Sequence, residues 1–278
     1  MSADSTLYTN ALATSDQLNS TKAVGHGTGK DSAFHNRFLT ANFIQTAGIY
    51  LRLSQTVISR AIVLAQRFYT TTGLRDFPIH DVAAAVLLIS SKLVSGHPIK
   101  PEQLCYVVQF LSLNGNLVFE HDVQTFSVPQ TFDVIDTWKQ ISPTEMEVLA
   151  GLAFDTNVVL PYSLALSYIQ VLSLHERAGS DIIKLTWSTI NDGIRDSPFL
   201  TIVHQPNTIA VTSIILAATK LNVVVSDQVN WWDMFDVNSE DVGHSMALIL
   251  EGKEYASYIR NQNSHTIDTN TKQNKIIK

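Results

Sequence analysis

Apolar residues recur at helical spacing through most of the chain. Phe38, Ala41, Phe43, Ile44 and the run Ala47–Leu51 mark one helix; Val57, Ala61, Ile62, Leu64, Ala65, Phe68 and Tyr69 mark the next. From Asp81 to Leu93 the pattern changes, because Ala83, Ala84, Ala85, Val86, Leu87, Leu88 and Ile89 leave no polar face. Such a helix belongs in the middle of a bundle, and its alanines and length favour helix over a buried strand. Pro101–Leu111, Phe132–Lys139 and Pro143–Phe154 continue the series. The last opens on a capping box, Ser142 to Glu145, with Pro143 at the first helical position. Between Ser112 and Gln130 the periodicity fades into a predicted loop. After Val158–Pro161 helical windows return at Tyr162–Leu174, Asp181–Ile194, Thr208–Leu221, Trp231–Phe235 and Ser239–Tyr258. No strand-like alternation of comparable length interrupts them, so the predicted class is all-α.

The pattern repeats. Pro78-Ile79-His80-Asp81-Val82-Ala83 leads into an apolar run ending at Lys92, and Pro206-Asn207-Thr208-Ile209-Ala210-Val211 leads at the same spacing into one ending at Lys220. Each segment is the central helix of a five-helix unit, so the expectation is a tandem duplication: residues 34–158, then 159–260. The flanks, 1–33 and 261–278, are rich in small polar residues and are expected to be disordered tails.

The bulk numbers narrow the function classes. Of 278 residues, 45% are hydrophobic and 16% charged, enough apolar material for a substantial core. The formal net charge of −6, with no Lys/Arg run, argues against general binding to nucleic-acid phosphates. The single cysteine, Cys105, rules out an intramolecular disulfide and reads as a buried small hydrophobe, which suits a reducing compartment. The N-terminal stretch lacks the apolar core of a signal peptide, and no apolar run approaches the roughly 18–20 residues of a membrane span. A Gly-rich phosphate loop, a Gly-x-Ser-x-Gly elbow and a His-Glu-x-x-His pair are all missing, so no enzyme is indicated. His80, His97, His121 and His204 are scattered singly and read as caps or satisfied hydrogen-bonders.

Specific motifs then resemble the cyclin family. Gln66-Arg67-Phe68-Tyr69 is similar to a second-helix motif of transcription-type cyclins, and Ala85–Lys92 to the central-helix pattern ending in Ser-Lys. Glu145, Val148, Leu149, Leu152 and Phe154 resemble the fifth-helix pattern. The run from Ile44 to Leu53, the segment Tyr168–Leu172, and Asn191, Asp192 and Arg195 are most similar to cyclin L. Trp231-Trp232-Asp233-Met234-Phe235 resembles a segment of cyclins T and K.

The resemblance implies tandem cyclin boxes in a nuclear, non-enzymatic subunit that needs no cofactor and binds and activates a cyclin-dependent protein kinase. Transcription by RNA polymerase II and pre-mRNA splicing are the implied settings. No direct nucleic-acid contact, membrane or small-molecule substrate is implied. Carried over residue by residue, Lys92 and Glu145 match a charged pair that contacts the kinase, while Ile89, Leu93, Leu149 and Phe154 match the apolar surface beside it. Arg37 matches a buried structural arginine whose usual aspartate partner is here Gln66, so it is expected to use carbonyls or an amide. The chain departs from the pattern in having Leu93-Val94-Ser95 where many relatives have two glutamates after the lysine. Around Arg37 it also lacks the patch that docks Arg-x-Leu substrates, with Phe43 where a tryptophan is usual. The Arg/Ser-rich tail of long cyclin L forms is absent from the sequence. The rival readings are a nucleic-acid-bound transcription factor of the TFIIB type and a cyclin-fold scaffold that does not activate a kinase.

Overall fold

The structure, a computed structural model, describes residues 9–18, 29–72, 77–94, 98–114, 134–226 and 230–276. Helices α1 (Gly29–Tyr50), α2 (Gln55–Thr72), α3 (Ile79–Val94), α4 (Pro101–Leu113) and α5 (Val134–Gly151) form a first set. The second comprises α6 (Tyr162–Val171), α7 (Leu174–Ala178), α8 (Asp181–Asp196), α9 (Leu200–Val203), α10 (Pro206–Leu221), a 3₁₀ turn (Trp231–Phe235) and α11 (Ser239–Ile276). No strand occurs among the described residues, and none of their helices is long and apolar enough to cross a membrane.

The all-apolar run makes α3 the hub of the first set. Residues 82–91 are all buried, and α1, α2, α4 and α5 pack around them. Packed interiors of this kind tolerate few voids, so only the last turn of α3 emerges at the surface. In the second set α10 plays the same part, packed by α6, α8, α9 and α11. It starts on Pro206, whose missing N–H costs nothing at the first helical position, and ends at Asn222 in the left-handed conformation.

Two expectations need correction. The break predicted between Lys139 and Pro143 does not occur, because α5 is continuous with Pro143 inside it. Pro143 has no N–H to give the carbonyl four residues earlier. In the next position Thr144 Oγ1 donates to Gln140 O at 3.0 Å, and packing of α5 on α3 and α4 carries the helix through. The flanks also differ. Residues 9–18 lie on the body rather than in a free tail; α1 begins at Gly29; and α11 runs on to Ile276, since no glycine or proline follows Gly252 to stop it. The remaining residues of the expected N-terminal tail, and most of the loop expected at 112–130, lie outside the described residues.

The connector between the sets is tied at successive carbonyls. Arg60 Nη1 and Nη2 donate to Thr156 O (3.2 Å) and Val158 O (3.3 Å), and Arg67 Nη1 donates to Asn157 O at 2.6 Å. Just beyond, the Tyr162 hydroxyl donates to Asn191 Oδ1 at 2.6 Å and lies 2.7 Å from Ser59 Oγ, linking α2, α6 and α8. Burial pushes this phenol up to about 12, so it stays a donor at neutral pH. Nearby, Arg195 pairs with Asp196 (2.6 Å) and Asp192 (3.1 Å). His204, read singly from sequence, instead faces His244, with His204 Nε2 and His244 Nδ1 3.0 Å apart.

The close approach of α8 and α11 depends on a glycine. A Cβ on Gly252 would meet the Ser197 hydroxyl and come within 2.6 Å of the Asp196 carbonyl oxygen. Backbone cannot swing aside as a side chain does, so Gly252→Ala is expected to cost about 2 kcal/mol by overpacking. Urea unfolding checks this, and a loss below ~0.5 kcal/mol would show that the helices separate freely.

Candidate partner-binding site

Lys92 sits in the last turn of α3, the part that leaves the core, and Glu145 lies midway along α5. Because these helices pack together, the two side chains meet, with Lys92 Nζ donating to Glu145 Oε1 at 2.5 Å. The sequence suggested that Glu145 closes a capping box. With α5 continuous there is no helix start to cap, and the carboxylate reaches across to α3 instead. The lysine side chain is 49% exposed and the glutamate 15%, so the ammonium stays open to solvent while the carboxylate is held beneath it. An ammonium carries three N–H donors, which leaves two for a partner.

The apolar residues expected beside the pair divide into three groups. Leu93 is exposed, as is its neighbour Val94. Leu149 is half-buried and packs on the core. Ile89, expected to receive partner side chains, is instead buried beneath the surrounding helices and serves as floor. Its place three residues before Lys92 falls within the part of α3 that is enclosed on all sides.

Phe154 is 63% exposed and lies past the end of α5, not within the helix as its spacing suggested. The termination is a Schellman-type hydrogen-bond pair: Phe154 N donates to Leu149 O at 2.8 Å and Ala153 N to Ala150 O at 2.9 Å. Ala153 and Phe154 both take positive φ, 50° and 60°, without a glycine. The turn thus projects a large aromatic side chain into solvent at some backbone cost.

Met146 was missed by sequence reasoning. It follows Glu145 directly and is 59% exposed. The available signal was a large apolar residue on the face of α5 that the core periodicity leaves outside. Leu93 and Val94 after Lys92, Met146 after Glu145, and Phe154 past the end of α5 add exposed apolar surface to the two helices that carry the ion pair, an arrangement suited to binding a protein surface. Among the described residues no group of three metal-ligating side chains comes together.

Residues 7–157 match the family described as Cyclin, N-terminal domain. Human Cyclin-L2 is 26% identical over 242 residues, covering 87% of this chain and 45% of that protein. Cyclin-L1 of Danio rerio is 27% identical over 262 residues, covering 91% and 49%. An uncharacterized cyclin-L1-like protein of Schizosaccharomyces pombe is 26% identical over 238 residues, covering 83% and 87%. The chain therefore spans about half the length of the human and fish relatives. Among solved structures, a chain of the yeast RNA Pol II CTD kinase CTDK-1 complex superimposes with a TM-score of 0.67 at 15% identity, covering 88% of this chain and 73% of that one. A viral cyclin from herpesvirus saimiri superimposes with a TM-score of 0.56 at 14% identity, covering 80% and 86%. At these identities the superpositions speak for the fold.

Proposed function

The chain belongs to the cyclin family, and on that premise we propose that it is a nuclear regulatory subunit that binds and activates a cyclin-dependent serine/threonine kinase acting in transcription or pre-mRNA splicing. The observation that carries this reading is the Lys92–Glu145 pair, held at 2.5 Å where α3 leaves the core and flanked by exposed apolar side chains. Similarity to cyclin L in three organisms supports the transcription and splicing setting.

The mechanism follows from what a kinase lacks alone. Its catalytic lysine on strand β3 must pair with a glutamate of its αC helix before the phosphates of ATP are positioned. A subunit that binds the inward position of αC better than the outward one shifts the population toward the active state, by as much as its affinities for the two states differ. Lys92 supplies donors to backbone carbonyls of the kinase, Glu145 supplies an acceptor, and Leu93, Met146, Leu149 and Phe154 supply apolar contact. Within this reading, residues 34–158 and 159–260 are the two cyclin boxes, and the kinase contacts fall in the first.

Affinity purification of the tagged full chain tests the proposal. The expected result is near-stoichiometric recovery of one cyclin-dependent kinase, with an eluate that phosphorylates polymerase C-terminal repeats or splicing factors. Recovery of the folded chain without any kinase would sink it and leave the scaffold reading.

A further inference from the structure

The residues from Thr9 to Ala13 are bound to the body the way a peptide is bound to a receptor. The Asn10 side-chain amide lies against the backbone of Val159, with Nδ2 donating to Val159 O (2.9 Å) and Val159 N donating to Oδ1 (2.8 Å). The backbone of Asn10 is read in turn by the Gln205 side chain. Asn10 N donates to Gln205 Oε1 (2.8 Å), and Gln205 Nε2 donates to Asn10 O (2.9 Å). Three residues on, Ala13 N donates to Ile202 O at 2.8 Å.

We propose that the cleft between the Val159 connector and the α9–α10 turn is a peptide-binding site selective for asparagine, filled in this chain by its own residues 9–13 and able to take an external peptide of the same chemistry. Selectivity follows from the pairing at Val159. One backbone N–H and one C=O are met by a side chain that offers an acceptor and a donor in one plane. Aspartate accepts but cannot donate, and would set its charge against the Val159 carbonyl. Glutamine adds a methylene and serine lacks the second polar atom. Gln205 contributes affinity without selectivity, because every non-proline backbone presents it with the same two groups.

The resident segment fits the cleft incompletely. Ala11, Leu12, Ala13 and Gln17 of the segment line a cavity of about 190 Å³ with Leu152 and Ile202 of the body. No side chain of the segment fills that space, and Ala13 is the residue tied to Ile202 at its edge, so the favoured external partner is a peptide with asparagine followed three residues later by a larger apolar side chain. This assignment does not depend on kinase binding, since Val159, Gln205 and Ile202, which hold the segment, are none of the residues given to the kinase contact, although the cavity borders the turn that carries Phe154.

The test uses the full chain and a labelled peptide of residues 9–18, followed by fluorescence anisotropy. A tethered segment competes at an effective concentration on the order of millimolar, so the parental chain should bind the peptide weakly. Asn10→Ala weakens the resident segment and leaves the cleft unchanged, and is expected to bind at least about tenfold tighter. Ala13→Pro removes the donor to Ile202 and opens the cleft independently, should Asn10→Ala fold poorly. On either chain, the Asn10→Asp peptide should bind at least tenfold more weakly, and the Ala13→Leu peptide more tightly. Three results would overturn the proposal: no binding to either opened chain, equal binding to parental and opened chains, or equal binding of the asparagine and aspartate peptides. A leucine peptide that binds no better than the alanine one would remove the external partner from it.

Discussion

Exchanging the two charges of the surface pair, as Lys92→Glu/Glu145→Lys, is expected to reduce kinase affinity at least a hundredfold while moving the melting temperature by only about 4 °C or less. The pair is half exposed on the lysine side, and ion pairs of that kind contribute about 0–1 kcal/mol to folding. The exchange preserves it. The remaining cost is a glutamate in place of a lysine at the C-terminal end of α3, where the helix dipole prefers a cation, about 0.3–1 kcal/mol. At roughly 2–4 °C per kcal/mol for a chain of this size, stability hardly registers the change. An interface does register it, because a desolvated, hydrogen-bonded charge is worth about 2–5 kcal/mol when lost, and here two signs are reversed. Titration calorimetry against the copurified kinase and a thermal melt read the two quantities separately. Unchanged affinity would move the pair out of the interface. A melting temperature lowered by 10 °C or more would make the pair structural.

The largest loss of stability is expected at Arg37. Its side chain is wholly buried where α1 and α2 meet the second helical set. Nη1 donates to Gln66 O (2.8 Å) and to Gln66 Oε1 (3.1 Å), Nη2 donates to Thr70 Oγ1 (3.3 Å), and Gln66 Nε2 donates back to Arg37 O (3.2 Å). The guanidinium lies 5.3 Å from the centre of the Phe199 ring and 5.8 Å from that of Tyr69. Desolvation pulls its pKa down to about 10, against an opposing effect of Tyr69, so the group is charged at neutral pH, and among the described residues no carboxylate pairs with it. Arg37→Ala leaves a large cavity and strands Gln66 Oε1, while Gln66 O keeps the Thr70 hydroxyl and Gln66 Nε2 keeps the backbone carbonyl of residue 37, for an expected loss of about 3–5 kcal/mol. Arg37→Met should recover part of this by refilling the volume without a charge. Urea unfolding of the three chains decides the matter, and a loss below ~1 kcal/mol for alanine would show that the site collapses around the gap.

Helices with an unbroken apolar period were legible in the sequence, above all α3 and α10, because burial on every side leaves a compositional mark. The meeting of Lys92 with Glu145 was legible only by resemblance, since 53 residues separate them and neither spacing nor charge predicts the contact. Local rules misled at Ser142-Pro143, where proline and a capping box point to a helix start but packing against α3 and α4 carries the helix across. The depth of Ile89 was not legible for a related reason, as helical spacing puts it on the face of Lys92 without saying how far along α3 that face stays covered. Asn10 left no trace at all. Its partners, Val159 and Gln205, are 149 and 195 residues away, and a polar stretch without periodicity looks the same whether it is free or bound.

The arginines that hold the Thr156, Asn157 and Val158 carbonyls carry one more consequence. A connector grasped at three consecutive peptide units from a single helix cannot act as a hinge, and cannot straighten to hand one half of the molecule to another copy. Melting of α2 would release the connector, and with it the alignment of Tyr162 against Asn191. The two halves are therefore bound to unfold together, as one thermodynamic unit despite their duplicated plan.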